Sequence, residues 1–407
     1  MKTMSEAELR ERTRALLAEV HPDKVDRTTF RRAQFDHGLA WVRFPEGHGG
    51  LGLTANLQQI VNDEIRKNAK TFYEDMAINP IGIGMGGPVV LTHGTEEMKK
   101  RLLRPLFTGE EIWCQLFSEP GAGSDVAGLS TRAVRDGDDW IVNGQKVWTT
   151  LAHLSKWGML VARTNPDVPK HEGMSYFLLD MQSPGVEVRP LYQITGEAEF
   201  NEIFMTDVRI PGDRILGHEG DGWKVAITTL MNERTSLGGG GGSRGSGPIA
   251  TLLRLWKNRE KAAFTQASEA VMRDRITQLH IECELLRLTG MRAKAGLRSG
   301  IPGPEGSVGK LAMAEINKRL WECSLDVMGS SSLLYEAGYE LKRPELHGRA
   351  SRVEEHAKYQ FLRSRANSIE GGTSEVMRNI LGERVLGLPG EPRVDKNVPW
   401  KDIPRGV

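Results

Sequence analysis

The stretch WCQLFSEPGAGSD, from Trp113 to Asp125, stands where a helical sequence pattern gives way to a strand pattern. Its first half predicts a strand that ends at Ser118, and Pro120 sets the turn that follows. The two glycines let the backbone come close to a ligand, and the Ser-Asp pair at the end supplies hydroxyl and amide donors. Such a loop suits a phosphate or the polar edge of a ring, although the same letters found alone also describe an ordinary turn.

Upstream of this stretch, the residues from Glu6 to about Gly109 follow a helical pattern. Thr95 is a good N-cap, and two glutamates and then three basic residues follow it in the order that a helix dipole favours. Met98, Leu102 and Leu103 recur at helical spacing. The sequence therefore predicts an N-terminal helical unit.

Downstream, from Ile112 to about Pro211, the pattern is that of β-strands. The dipeptides Asp136-Gly137 and Asn143-Gly144 lie between β-rich runs and predict two tight hairpin turns. Further strands are predicted at Trp157–Val161, Ser175–Met181 and Val186–Val188.

Helical periodicity returns after Gly222 and persists to about Val385, with a Gly/Pro-rich connector at Gly296–Gly306. The tail, Leu388–Val407, is predicted to be irregular or to wrap a neighbour. Helices, strands and helices in separate blocks indicate the α+β class. We expect a helical domain at 1–111, a β domain at 112–217, a helical domain at 218–387 and a tail at 388–407.

The composition of the 407 residues limits the function further. With 54 basic and 53 acidic side chains the net charge is +1, so the basic excess of a nucleic-acid or anionic-membrane binder is missing. The three cysteines are widely separated and the histidines form no ligand pair, so we expect neither disulfides nor a metal. An apolar signal core and a membrane-length apolar run are also missing, so a cytoplasmic protein without a membrane span is expected.

Glycine is the residue in excess, at 46 of 407, or about 11% against an average of about 7%. The glycines come in clusters, of which Gly238–Gly242 is a run of five.

The stretch 113–125, taken with NGQKVWTT at Asn143–Thr150, resembles the flavin-binding signatures of the acyl-CoA dehydrogenase family. The likeness continues in the expected order through Gly222-Trp223, Asn232–Arg234 and Ser368–Glu375. It implies an N-terminal helical domain, a middle β-barrel domain and a C-terminal four-helix-bundle domain. It also implies that FAD lies between the middle and C-terminal domains, with part of the cofactor held by a neighbouring subunit.

By position, the resemblance implies that Ser118 and Thr150 hydrogen-bond the isoalloxazine ring, with Thr150 near N5, where hydride arrives. Trp148 would lie against the ring, although a barrel core residue is an equal interpretation of it, and Ser124 would face the pyrophosphate. The other cofactor residues implied are Gln115, Leu116, Phe117 and Thr149, and, at the adenosine half across the subunit boundary, Thr373 and Glu375. The substrate residues implied are Ser124, Arg234 and Gly371.

The reaction that the resemblance implies removes a proton from the α carbon of an acyl thioester, which requires a desolvated carboxylate as base. Glu233 is the favoured candidate. Ala226, Leu230 and Leu237 share its helical face, and an acid on an apolar face is either paired or functional. Some branches of the family place their base at this position.

Glu370 is the alternative base, because most other branches carry a glutamate in a Glu-Gly-Thr motif of this loop. Alignment on Gly372-Thr373 places Gly371 where that glutamate belongs, and Glu370 falls one residue early. One residue in an extended loop reverses the direction of a side chain. A helix cap or a surface ion pair remains a structural interpretation of both glutamates.

The implied activity is an FAD-dependent acyl-CoA dehydrogenase that passes electrons to an electron-transfer flavoprotein. An acyl-CoA oxidase or flavin monooxygenase of the same fold, and a non-catalytic subunit, are the alternatives. Residues 254–264 and Asp326–Ser330 depart from two cofactor motifs of the family, so the sequence leaves open a homotetramer, a dimer or an α2β2 heterotetramer. The run Gly238–Gly242 follows Glu233 closely in the sequence. It is interpreted either as a loosened helix end beside the acyl pocket, which would suit a bulky acyl group, or as a plain surface loop.

Overall fold

The computed structural model describes residues 4–237, 242–260, 264–298, 305–334, 357–393 and 395–404. The chain divides into two compact units. The first comprises Met1–Leu191, Glu199–Asn232 and Val394–Val407, and the second comprises Tyr192–Ala198 and Glu233–Arg393.

The first unit begins with helices, as the sequence predicts. They are α1 (Glu6–Glu19), α2 (Arg27–Asp36), α3 (Gln58–Asn68), α4 (Asp75–Ile78), α5 (Gly87–His93) and α6 (Glu96–Thr108). The Thr95 side chain accepts a hydrogen bond from the Met98 amide and so caps α6 as predicted. Gly109, in the left-handed conformation, ends the helix.

A mixed sheet follows the helices. Its strands are β1 (Trp113–Leu116), β2 (Arg132–Asp136), β3 (Asp139–Thr150), β4 (Trp157–Arg163), β5 (Met174–Asp180), β6 (Val186–Leu191) and β7 (Phe200–Ile210). The order is β1-β4-β2-β3-β7-β6, with β5 paired to β4. The three strands predicted after residue 150 are confirmed.

Both faces of β4 are buried, because the sheet is covered on each side. Met159 and Val161 face a core shared with α5, α6 and the start of the next helix. Leu160 and Ala162 alternate with them and face a second core, which contains Trp140. This packing fixes β1 and the segment after it against the rest of the sheet.

One of the two predicted hairpins is confirmed. Asp136 pairs with Asp139 across a turn in which Gly137 has a φ of 63°. The turn predicted at Asn143-Gly144 is wrong, because β3 continues to Thr150 and the ladder to β7 only shifts register there. A Cβ at Gly144 would lie 2.3 Å from Thr131 Oγ1, so glycine at this position admits a neighbouring segment rather than a turn.

The remaining helices are α7 (Gly222–Leu237), α8 (Pro248–Asn258), α9 (Gln266–Arg298), α10 (Glu305–Met328), α11 (Ala357–Arg363) and α12 (Ser374–Ile380). Helices α8, α9, α10 and α11 of the second unit share a core around Leu252, Leu279, Leu320 and Trp321. Residues 299–304 of the predicted connector, and residues 238–241 of the glycine run, lie outside the described residues. None of the described helices has both the length and the apolar character that crossing a bilayer requires.

The tail is irregular from residue 387 to 399, apart from the undescribed residue 394, and ends in a short turn at Trp400–Asp402. Within the first unit, Pro169 and Pro399 form an isolated β-bridge. The Trp400 amide donates to the Val168 carbonyl at 2.9 Å. The last described residues therefore pack on the loop that follows β4.

Candidate active site

The two segments that resemble flavin signatures are joined directly. The Val147 amide donates to the Ser118 carbonyl at 2.9 Å. Lys146, which is fully buried, donates from Nζ to the Phe117 carbonyl and to Glu119 Oε1, both at 2.9 Å. Strand β3 thus holds the segment that follows β1 through one backbone bond and one buried ammonium.

Glu119 completes this connection. Its carboxylate accepts from the Ser130 amide at 2.6 Å and the Thr131 amide at 2.9 Å. Burial opposes the ionisation of Glu119, but the charge of Lys146 and these hydrogen bonds outweigh it and hold the pKa of Glu119 below its ordinary value. The ion pair therefore fixes both ends of the loop between Glu119 and Ser130. Neither Glu119 nor Lys146 is marked as a site residue by the sequence pattern, although both lie inside the segments 113–125 and 143–150.

The loop from Pro120 to Leu129 is here called the glycine loop. Gly121, Gly123 and Ser124 are exposed. A Cβ added at Gly121 or Gly123 would meet nothing within 4 Å, so the chain's own packing does not require glycine there. The missing side chains leave the exposed backbone at Gly121 and Gly123, together with the Ser124 hydroxyl, accessible to an external group, which fits a phosphate-bearing cofactor.

Trp148 has a strained backbone. Its φ is 59°, in the left-handed region, and the ladder between β3 and β7 shifts register between Lys146 and Thr149. A bulky residue in this conformation costs about 1–2 kcal/mol, and such strain is concentrated at functional sites. The side chain is 57% exposed and meets the ring of Phe200 edge-on, so Trp148 is not a barrel core residue.

Burial alternates along the end of β3 and separates two predicted cofactor residues. Thr150 is half-buried, whereas Thr149 is buried, and the Thr149 hydroxyl has no hydrogen-bond partner among the described residues. In the preceding segment, Gln115 and Ser118 are half-buried, while Leu116 and Phe117 are buried and can offer only backbone groups.

In the second unit, Glu370 is already engaged. Arg363 donates to both of its carboxylate oxygens, at 2.9 and 3.1 Å, and Asn367 Nδ2 donates to Oε1 at 2.9 Å. The next two residues, Gly371 and Gly372, have φ angles of 63° and 90°. A side chain at Gly372 would also collide with Met377, since its Cβ would lie 2.6 Å from that methyl group.

Thr373 and Glu375 lie at the start of α12. The Thr373 hydroxyl accepts from the Val376 amide at 3.1 Å and so caps the helix. Glu375 is exposed, with Oε1 3.4 Å from Arg378 Nη1. Ser374 is buried and donates to Glu315 Oε1 of α10 at 3.0 Å.

Lys310 of α10 is a buried cation that no sequence motif indicates. It is 1% exposed and donates to the Asn367 carbonyl at 2.9 Å and to the Gly372 carbonyl. Burial lowers the pKa of Lys310 below its ordinary value, although the charges of Glu370 and Glu233 favour the ammonium form. Lys310 therefore holds the 367–372 loop by its backbone and carries positive charge toward both candidate bases.

Glu233 is half-buried on α7, and the Arg234 side chain lies outside the described residues. In the described parts of the chain, His, Cys, Asp and Glu side chains do not gather in groups of three or more that could hold a metal ion.

Comparison with known proteins gives three family-model matches. Residues 3–110 match the acyl-CoA dehydrogenase N-terminal domain, residues 114–208 the middle domain and residues 220–386 the C-terminal domain.

Curated relatives include acyl-CoA dehydrogenase IpdE1 of Mycobacterium tuberculosis, 37% identical over 366 residues, which cover 88% of this chain and 86% of the relative. Acyl-CoA dehydrogenase FadE34 of the same organism is 36% identical over 355 residues, which cover 87% of this chain but 45% of the relative. Among solved structures, the ChsE4-ChsE5 complex from Mycobacterium tuberculosis has a TM-score of 0.69 at 26% identity, covering 96% of this chain and 99% of that chain.

Proposed function

Because the chain belongs to the acyl-CoA dehydrogenase family, we propose that it is an FAD-dependent enzyme that forms a double bond between the α and β carbons of an acyl-CoA thioester. The observation that carries the proposal is the joining of the two flavin-type segments by the buried Glu119–Lys146 pair. This pair holds the open glycine loop and the strained, exposed Trp148 on one rigid support.

The residues of the first unit fit a flavin dinucleotide. Ser118 and Thr150 would bind the isoalloxazine ring and Trp148 would lie against it, while Ser124 and the glycine-loop amides would meet the pyrophosphate. Backbone groups of residues 115–117 and of Thr149 would complete this half of the site. Thr373 and Glu375 would serve the adenosine half of a neighbouring subunit's cofactor. When bound, FAD supplies the acceptor for the hydride that leaves the β carbon.

Glu233 is the proposed base that removes the α proton. Both oxygens of Glu370 already accept hydrogen bonds from Arg363 and Asn367, so Glu370 would have to give up these bonds to reach a substrate. Lys310 interacts electrostatically with both Glu370 and Glu233, so a positive charge lies near whichever of the two acts as the base. Arg234 and Gly371, with Ser124, are proposed to contact the acyl-CoA.

Electrons would pass to an electron-transfer flavoprotein. The chain would assemble as a homotetramer or dimer, or as one half of an α2β2 heterotetramer. The heterotetramer is supported by the departure of Asp326–Ser330 from the family motif, and by the similarity to a structure that is itself titled a complex of two proteins.

Purification of the chain alone, followed by release and identification of its chromophore, tests the cofactor. We expect one FAD per chain, and turnover of acyl-CoA with an artificial electron acceptor but little oxygen consumption. Rapid oxygen consumption would assign the chain to the oxidases instead. A colourless protein that takes up FAD only with a partner chain would favour the heterotetramer. A colourless protein that binds FAD under no condition would overturn the proposal.

A further inference from the structure

The glycine loop is tied to the far end of the chain by a shared ammonium. Lys170, in the loop after β4, donates from Nζ to Asp125 Oδ2 at 2.8 Å and to Asp395 Oδ2 at 2.5 Å. The Lys170 side chain is 12% exposed. Burial works against its charge, but the hydrogen bonds that Lys170 donates to both aspartates raise its pKa above the ordinary value, so the cation persists at neutral pH.

Arg163 makes a second connection, at the other end of the glycine loop. Its buried guanidinium donates to the Ala127 carbonyl at 2.5 Å and lies 4.7 Å from the centroid of the Trp400 ring. Trp400 Nε1 in turn donates to the Gly128 carbonyl at 3.4 Å. A cation stacked on an aromatic ring is stabilised most when both are shielded from water.

The residues 395–403, here called the C-terminal strap, are themselves anchored by their backbone. The Trp400 amide donates to Val168 at 2.9 Å, and the Lys401 amide donates to Pro166 at 3.1 Å. These backbone bonds hold Trp400 beside Gly128, while Asp395 is connected to Asp125 through the Lys170 ammonium that both contact. The strap and the glycine loop all lie within the first unit.

We propose that the C-terminal strap is a positioning element for the glycine loop, which holds Ser124 and the loop amides in the arrangement that receives the phosphoanhydride of a dinucleotide. The proposal rests on the proposed function, since FAD is the dinucleotide concerned. A mobile loop loses conformational entropy when it binds a ligand, and this loss weakens binding. An element that already orders the loop in the free protein makes this loss smaller and so strengthens binding.

The test compares strap variants of the full-length protein by two measurements. The first is the rate at which FAD leaves the holoprotein, and the second is hydrogen exchange of peptides from residues 121–129 with and without FAD. Trp400→Ala and, as the milder change, Asp395→Asn remove one connection each. Lys170→Arg keeps the charge between the two aspartates. Lys401→Ala is the matched control, because Lys401 belongs to the strap but pairs with Asp167 and not with the glycine loop.

We expect both strap variants to release FAD about tenfold faster, as the loss of preordering predicts, with kcat at saturating FAD unchanged. Exchange in residues 121–129 should rise even without FAD, while Lys401→Ala and Lys170→Arg behave as the wild type. Unchanged exchange and unchanged FAD release in Asp395→Asn and Trp400→Ala would overturn the inference. If neither the wild type nor any variant binds FAD, the proposed function fails. A rise in hydrogen exchange in the strap variants would in that case still support the contact between the C-terminal strap and the glycine loop.

Discussion

Lys146 Nζ lies 2.9 Å from Glu119 Oε1 inside the first unit, and both side chains are almost completely shielded from water. Lys146 belongs to β3 and Glu119 follows β1, so the pair joins two segments that are separated in the sequence. An ion pair buried in this way is costly to break by removal of one partner, because the other charge is left without compensation.

Replacement of one partner of this ion pair is therefore expected to destabilise the folded chain strongly. Glu119→Gln should lower the free energy of unfolding by about 3–5 kcal/mol at neutral pH, because Lys146 stays buried without its counter-ion. The double variant Glu119→Gln/Lys146→Met should lose less than the sum of the two single variants. Urea unfolding of the four proteins measures this coupling. Glu187→Gln, which breaks an exposed pair with Arg189, serves as control and should change little. Additive losses would contradict the coupling.

The same pair predicts a pH dependence. The pKa of Glu119 is lower in the folded chain than its ordinary value of 4.5, so the unfolded chain takes up the proton first as the pH falls. The stability that Glu119 contributes is thus present at neutral pH and is lost as the pH falls below 4.5 and through the folded pKa. Unfolding measured from about pH 7 to about pH 3 should show a smaller loss in Glu119→Gln than in the wild type. An equal loss of stability with falling pH in Glu119→Gln and in the wild type would contradict this prediction.

The choice of base predicts opposite outcomes for two glutamates. Glu233→Gln should lower kcat by about 10²–10⁴-fold with the FAD content unchanged, because the amide cannot accept the α proton. Glu370→Gln should keep turnover near that of the wild type, since Glu370 is held by Arg363. Steady-state kinetics on FAD-replete proteins decides the matter. Normal turnover in Glu233→Gln with none in Glu370→Gln would reverse the assignment.

The charge of Lys310 should affect the pH dependence of turnover through Glu233, the proposed base. Removal of its charge by Lys310→Met makes ionisation of Glu233 less favourable, so the acid limb of the kcat–pH profile should move to higher pH. Lys310→Arg keeps the positive charge and should restore the wild-type profile. Lys318→Met, which alters a half-buried pair with Glu315 on the same helix, is the control. If the kcat–pH profile of Lys310→Met coincides with that of the wild type, the charge of Lys310 does not influence the base.

Two substitutions of Trp148 distinguish the effect of its backbone strain from the effect of contact between its ring and FAD. Trp148→Gly should be more stable than Trp148→Ala by about 1 kcal/mol, because only glycine adopts the left-handed conformation without cost. Both variants should bind FAD more weakly than the wild type, since each lacks the exposed ring. Thermal unfolding of the apoproteins and FAD titration measure the two effects. Equal stability of the two variants would show that the conformation is not strained.

Much of the fold follows from local patterns. The N-cap at Thr95 and the turn at Asp136-Gly137 depend on interactions within four residues, so the sequence alone predicts them correctly. The order of helices, strands and helices follows for the same reason, since each block has its own hydrophobic period.

Other features depend on segments that meet only in the folded chain. Asn143-Gly144 has the letters of a hairpin turn, but Thr131 approaches Gly144 so closely that the glycine serves packing instead. The Glu119–Lys146 pair, the Lys310 contacts and the link from Lys170 to Asp395 join residues that are distant in sequence. Charge and spacing alone do not reveal such partners.

Reduction of the bound flavin by an acyl-CoA can be followed in an anaerobic titration. The FAD-replete protein is mixed with straight, branched and sterol-derived acyl-CoAs while the visible flavin absorbance is followed. We predict that at least one of them bleaches the flavin in proportion to the amount added, and that Glu233→Gln loaded with FAD stays yellow with the same compound. A wild-type protein that holds FAD and keeps its full absorbance with every acyl-CoA would contradict the proposed acyl-CoA dehydrogenase activity.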